Sequence, residues 1–351
     1  MSRVNPVYVW LFFGGLLVLS GLWSLVTGAL DIPNEQLLII LQQTVGFNEH
    51  LSVPTHFEIT LLEFRLPRLL LALMVGAALA VSGAAIQGLF RNPLADPGLI
   101  GVSSGAAFGA VFIIVLGDTL LSDFSILAGR WALPIAAFIF CLLTTLIIYK
   151  IATRGGYTQV SMLLLAGIAM NAIAGAATGL LTYIADDAQL RSLTFWSMGS
   201  LAKASWQDIK VVTPFILIPV LLLPLMSNAL NGFLMGESVA SHLGFSVRWT
   251  KRAIILLTSL AVGAAVSMTG VIGFLGLVTP HLLRQIFGPD HRLLLPASAL
   301  LGALMLTLAD MMARTVVAPA ELPIGLITAL IGGPFFLSLL LRPSATLQKS
   351  L

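Results

Sequence analysis

LPRLLLALMVGAALAVSGAAIQG, Leu66–Gly88, is the stretch on which the fold class turns. After Arg68 it carries no charge, so it supplies the roughly 20 predominantly apolar residues that a helix needs to cross a bilayer. Its small residues, among them Gly76, Ala80 and Gly83, let neighbouring helices approach closely in lipid. Reading outward for further apolar runs broken by charge, Gly and Pro gives ten spans, near 7–29, 66–88, 97–117, 131–151, 160–184, 209–226, 252–270, 271–287, 293–314 and 323–341. Of the 351 residues 58% are hydrophobic and 9% charged, where soluble domains carry about 25% charged residues. Ten helices of roughly 20 residues would occupy about 200 of them. The expected fold is an all-α polytopic membrane protein with ten transmembrane helices in a single domain over 1–351. This excludes a soluble enzyme, a DNA-binding domain and an outer-membrane barrel, whose strands alternate over about 10 residues. A net charge of +3 is too small to mean nucleic acid.

Arg3 precedes the apolar run from Val7 to Leu30 without a small-residue cleavage site after it, so the run reads as a retained first helix. Cys141, the one cysteine, lies in an apolar run and reads as a buried thiol with no disulfide or metal role. No G-x-x-x-x-G-K-[ST] phosphate loop occurs, so the chain has no ATPase site of its own. An even number of spans puts both termini on one side. That side collects eleven basic and three acidic residues, the other seven basic and twelve acidic. The preference of basic loops for the cytoplasm places the termini inside. His50 and His56, in the acid-rich outer loop near 30–64, read as solvated, with a ligand role as the alternative. The stretch 185–208 is ambiguous, and Leu193 to Trp206 fits a short helix at the surface.

Three stretches interrupt the apolar pattern. Arg91-Asn92-Pro93-Leu94-Ala95-Asp96-Pro97 breaks the helix at the inner face; it is either a plain turn or irregular backbone that lines a water path. The inner loop 227–249, with Leu234, Met235, Val239 and Leu243, fits a short amphipathic helix pair that meets a soluble partner or lies on the membrane. The third runs from Gly273 through Pro280-His281 to Arg284, followed by Asp310, Arg314 and Pro319-Ala320-Glu321-Leu322-Pro323. Asp310 and Arg314 stand four apart on a helix and can pair; near the span's outer end, they need not form a deeply buried pair. His281 fits a helix-end hydrogen bond better than a ligand or proton relay.

Several segments together resemble the FecCD-type permeases of ABC importers for iron-siderophores, haem and cobalamin: Arg65-Leu66-Pro67-Arg68, the run from Arg91 through Ser103-Ser104-Gly105-Ala106, Phe195-Trp196-Ser197-Met198-Gly199-Ser200, Gly273-Phe274-Leu275-Gly276-Leu277-Val278-Thr279-Pro280-His281 and Glu321-Leu322-Pro323-Ile324-Gly325. The resemblance covers Arg65 to Leu341. It implies the type II importer permease fold: ten helices per subunit in the bacterial inner membrane, two copies around one pathway, and two ATP-binding subunits beneath. It implies that 227–249 couples to the ATPase, with Leu234, Glu237, Ala240, Leu243 and Gly244 at that contact. Arg65, Arg68 and Arg314, with Asp310 orienting Arg314, are implied to dock a periplasmic binding protein; interface snorkelling is the plainer reading of Arg65 and Arg68. Asn92, Leu94, Val160 and Ser161 are implied as an inner gate, and Met170, Asn171 and Thr178 as pathway wall.

The run Ala313 to Pro323 with Gly332-Gly333-Pro334-Phe335-Phe336 resembles haem importers more than siderophore importers. Haem or another iron chelate is then cargo, with no permanently bound cofactor and ATP on the partner subunit. An ion-coupled transporter, the rival class, needs ionisable groups near mid-membrane, and the charges here fall near the two faces.

Overall fold

The structure, a computed structural model, describes residues 6–28, 30, 32–44, 53–155 and 157–341. His50 lies outside them. In chain order the helices are α1 (Pro6–Val26), α2 (Asn34–Thr44), α3 (Thr55–Ile59), α4 (Leu66–Phe90), α5 (Val102–Leu116), α6 (Ser122–Ala128), α7 (Ala132–Ala152), α8 (Val160–Ile184), α9 (Asp187–Met198), α10 (Trp206–Leu222), α11 (Ser227–Leu234), α12 (Glu237–His242), α13 (Val247–Thr269), α14 (Leu275–Phe287), α15 (His291–Thr315) and α16 (Ile324–Leu340). A two-stranded antiparallel hairpin, β1 (Thr153–Arg154) and β2 (Tyr157–Thr158), joins α7 to α8. Among the described residues, seven helical stretches are long and apolar enough to cross a bilayer: Val7–Val26, Thr55–Phe90, Ser122–Ala152, Val160–Ile184, Trp206–Leu234, Val247–Thr269 and His291–Thr315. Val102–Leu116 and Ile324–Ser338 are apolar but shorter.

Two expected spans begin later than their apolar runs suggest. The run 97–117 starts with a 3-10 turn, Pro97–Ile100, and becomes α-helical only at Val102. The run 271–287 is helical only from Leu275, because Gly270 (φ +73) and Phe274 (φ +66) take positive φ and leave 270–274 outside any helix. The ambiguous stretch 185–208 resolves as α9, earlier than the Leu193 start expected, with Asp186 and Gln189 forming its capping box. Gly199 ends it, at φ +71. The N–H of Ser200 then donates to Thr269 O at 2.7 Å, and that of Ile324 to Gly199 O at 3.1 Å. Three motifs distant in sequence thus meet where α9 ends, the 270–274 strap passes and α16 begins.

Before α4 the chain makes a π-helical turn, Thr60–Arg65. Pro67 has no N–H to give Glu63, and the N–H of Leu66 reaches back five residues to Leu61 O. Helix α4 is then buried almost all round, from Val75 to Phe90 except Ala77. Gly76 faces the Gly302 carbonyl of α15, and Gly83 faces the Gly276 carbonyl of α14, each so closely that a Cβ would strike backbone. Close approach of this kind is what small residues give in lipid, where dispersion replaces the hydrophobic effect. Gly83→Val is expected to cost about 1–3 kcal/mol through overpacking, read as a lower midpoint of thermal unfolding in detergent; a parent-like midpoint would remove Gly83 from the packing account.

Cys141 is buried, and its thiol lies 3.8 Å from Ser259 O. Helix α8 contrasts with α4. Leu163, Ala166, Gly167, Ala174 and Leu181 are buried, whereas Leu165, Ile168, Ile173, Leu180, Tyr183 and Ile184 are exposed in the single chain.

Candidate functional site

The C-terminal turn of α1 leaves carbonyls without helical partners and a partial negative charge. Two arginines take them. Arg65 donates from Nη1 to Leu25 O and Val26 O, both at 2.6 Å, and from Nη2 to Leu30 O. Arg314 donates from Nη1 to Thr27 O at 3.0 Å and from Nη2 to Ser24 Oγ at 2.8 Å. Arg314 Nε also pairs with Asp310 Oδ2 at 3.0 Å, one turn earlier on α15. The other oxygen of Asp310 accepts from Arg68 Nε at 2.9 Å, and Arg68 Nη1 donates to Glu321 Oε1 at 2.8 Å. Two cations and two anions therefore balance around one carboxylate whose side chain is 2% exposed.

This geometry corrects two expectations. The Asp310–Arg314 pair is deeply buried. Arg65, Arg68 and Arg314 are also buried, at 7%, 9% and 6% exposure, so they do not stand out as three free docking groups in the single chain. Arg68, Asp310 and Arg314 do converge, but as a cross-tie between α4, α15 and the end of α1. The sequence reading missed the fourth member, Glu321, which is 40% exposed at its side chain. Its place just before Leu322-Pro323, after an interruption in the helices, was the available signal.

At the other end of α15, α11 and α12 form a tight hairpin. Its turn needs Gly236 at φ +113, and Gly244 at φ +89 closes the far side. Leu234, Met235 and Leu243 are 43%, 71% and 59% exposed, leaving an apolar face uncovered. Ala240 is a correction: it is fully buried and packs against Gly232, so it holds the two helices together and is not available to a partner. Asn231 ties the hairpin to α15, its Oδ1 accepting from His291 N at 2.9 Å and its Nδ2 donating to Asp290 Oδ1 at 2.7 Å. Asp290 caps α15 through Arg292 N at 3.0 Å. Desolvation pushes the Asp290 carboxyl up, but the bonds from Arg292 N and Asn231 and the nearby Arg292 charge outweigh it and hold it below the usual carboxylate range. The junction therefore stays charged at neutral pH.

Of the expected gate residues, Asn92 and Ser161 are exposed and Leu94 and Val160 half-buried. Asn92 Oδ1 accepts from Leu94 N at 2.9 Å, closing a turn after Arg91, whose φ is +50. The expected wall residues divide. Asn171 is a clamp: its Oδ1 accepts from Ser104 Oγ at 2.5 Å and its Nδ2 donates to Gly98 O at 3.3 Å. It fastens the irregular 97–104 segment to α8, where Gly167 lies against the Leu99 carbonyl. Met170 packs partly buried against the main core, and Thr178 is half-buried, its carbonyl accepting from Thr182 Oγ1 at 2.8 Å. His281 is buried, with Nε2 at 2.8 Å from the Gln285 amide, in keeping with a hydrogen bond along its own helix. The His56 ring lies 4.2 Å from the Phe57 ring, tilted at 50° to it.

A second contact of this hairpin was not expected. Lys251, 4% exposed on α13, reaches Glu237 Oε1 at 2.7 Å and Thr158 O at 2.8 Å. Helical spacing places it on one face with Ile254, Ile255 and Thr258, all buried. That periodicity was the signal for a buried lysine.

Comparison with known proteins gives a consistent outcome. The chain is 52% identical over 341 residues to the hemin transport system permease protein HmuU of Yersinia pestis, covering 97% of each. It is 42% identical over 289 residues to the cobalamin import system permease protein BtuC of Halobacterium salinarum, covering 82% of this chain and 75% of that protein. A solved structure described as an inward-facing conformation of a metal-chelate type ABC transporter superposes with a TM-score of 0.80 at 32% identity, over 95% of this chain and 98% of that one. The FecCD transport family matches residues 16–342, and with the helical order, the strap at 270–274 and the α11–α12 hairpin in place, the chain belongs to that family.

Proposed function

We propose that this chain is the membrane-spanning subunit of an ATP-driven importer that takes haem from a periplasmic binding protein and moves it across the bacterial inner membrane. The observation that carries the proposal is the 52% identity to a hemin permease along 97% of both chains. In this reading α5, α14 and α16 complete the seven longer helices to ten crossings, both termini face the cytoplasm, and two copies enclose one pathway. Two ATP-binding subunits seat on Leu234, Met235, Glu237, Leu243 and Gly244, and ATP stays on them. The switch runs through Asn92, Leu94, Val160 and Ser161, with Met170 and Thr178 along the pathway. Docking falls on the outer end above Asp310, where Arg68 is the arginine that an incoming carboxylate reaches by displacing half-exposed Glu321, while Arg65 and Arg314 shape the platform. A siderophore or cobalamin cargo is the second reading, favoured by the identity to a cobalamin permease.

Proteoliposomes that hold this chain with its ATPase subunit and binding protein test both. Hemin uptake that requires ATP and the binding protein, and is not displaced by excess ferric siderophore or cobalamin, is expected. Displacement by either ligand moves the assignment to that cargo. Uptake driven by an ion gradient without ATP overturns the importer mechanism.

A further inference from the structure

Lys251 is a buried cation on α13 that belongs neither to the proposed docking end nor to the exposed face of the α11–α12 hairpin. Its side chain is 5% exposed, and an ammonium taken out of water costs several kcal/mol unless charge and hydrogen bonds compensate it. Compensation comes from two elements that are otherwise separate. The Glu237 carboxylate opens α12 on the hairpin proposed to meet the ATPase, and the Thr158 carbonyl ends β2, two residues before Val160 at the head of α8. The first turn of α13 holds the same β-hairpin a second time, through Arg248 lying over the Tyr157 ring at 5.4 Å. Thr153 Oγ1 and Thr158 Oγ1, 2.9 Å apart, stiffen that hairpin.

We infer that Lys251 is a positioning residue which couples the inner hairpin to the head of α8. A displacement of Glu237 that left Thr158 behind would strip a buried ammonium of one partner, so Glu237, Lys251 and Thr158 move as a unit. Glu237 keeps 40% of its side chain in solvent, which leaves it free to follow a partner bound outside. Motion imposed on α12 is passed by this bridge to Val160 and Ser161 without running through the transmembrane core. The inference rests on the reading of α11 and α12 as the ATPase-facing hairpin.

The test uses the complete transporter in proteoliposomes, with Cys141→Ala and Ser161→Cys introduced for labelling by a membrane-impermeant maleimide. With Lys251→Met, recovery of the ATPase subunit and ATP hydrolysis are expected within twofold of the parent, while uptake per ATP falls at least tenfold and labelling at position 161 no longer changes with nucleotide. Lys251→Arg is expected to restore at least half of the uptake per ATP, which a general packing defect would not do. If Lys251→Met does not accumulate, Glu237→Gln breaks the bridge from its solvent side and is read by uptake per ATP hydrolysed and by labelling at position 161 in the complex that is recovered, since Glu237 also lies on the proposed ATPase contact. Parent-level uptake per ATP, or labelling that still follows nucleotide, overturns the inference. Failure of the underlying reading is distinct: the ATPase subunit would then be recovered at parent level with Met235→Asp and Leu243→Asp.

Discussion

Asp310→Ala is expected to destabilise the folded chain by about 3–5 kcal/mol, the usual consequence of removing one partner from a buried ion pair. The size follows from what is left behind. Among the described residues, Arg314, 7% exposed at its side chain, loses the carboxylate it pairs with and keeps backbone carbonyls and Ser24; Arg68, 11% exposed, keeps Glu321. Carbonyl dipoles do not neutralise a guanidinium in a poorly hydrated site, and the low local dielectric magnifies the deficit. Asp310→Leu combined with Arg68→Met is expected to recover part of the loss, because the cluster then holds Arg314 and Glu321 with no net charge, where the single variant leaves two cations against one carboxylate. The measurement is the midpoint of thermal unfolding of the purified chain in detergent for the parent, the single variant and the double variant. A single variant that unfolds with the parent would mean that the cluster is hydrated and contributes no more than a surface pair, about 0–1 kcal/mol.

The cluster around Asp310 also marks the limit of reading this sequence. Long apolar runs locate helices well wherever burial and length agree, and the expected 160–184 coincides with α8. They mislead where glycine permits a turn inside an apolar run, as at Gly270, because hydropathy carries no information about φ. Spacing of four made the Asp310–Arg314 pair legible, since both lie on one helix. It was silent on Arg68, which comes from a segment some 240 residues earlier, and on Arg65, whose partners are backbone carbonyls with no sequence signature. Ala240 was expected at the partner surface with its neighbours, but packing a hairpin as tight as α11–α12 takes one small residue inward, and Gly232 opposite accepts it. Asn171 lay on a stripe that helical spacing assigned to the pathway, and the hydroxyl of Ser104 claims it instead. In each case the face was legible, and the nearest partner across the fold was not.

Met235→Asp with Leu243→Asp is expected to abolish recovery of the ATPase subunit while leaving the chain folded. Both side chains stand in solvent, at 71% and 59% exposure, and surface substitutions of this kind alter stability by only about 0.5 kcal/mol. If the two form the centre of a helix-in-groove contact, each counts as an anchor of about 2 kcal/mol. Together they amount to about 4 kcal/mol, roughly a thousandfold in Kd, before the cost of carrying a carboxylate into an apolar cleft is added. Ala240→Leu separates contact from scaffold: Ala240 is fully buried against Gly232, so enlarging it forces the hairpin apart and lowers both stability and recovery. The alternative, a hairpin lying in the lipid headgroups, makes the opposite prediction for the aspartates. An amphipathic element on a bilayer gains from apolar area, so the charges would loosen its seating on lipid and leave ATPase recovery at the parent level. Co-purification of the tagged ATPase subunit at physiological salt distinguishes the two, because burial of apolar anchors is little screened by ions, and a contact carried by Glu237 alone would weaken with salt.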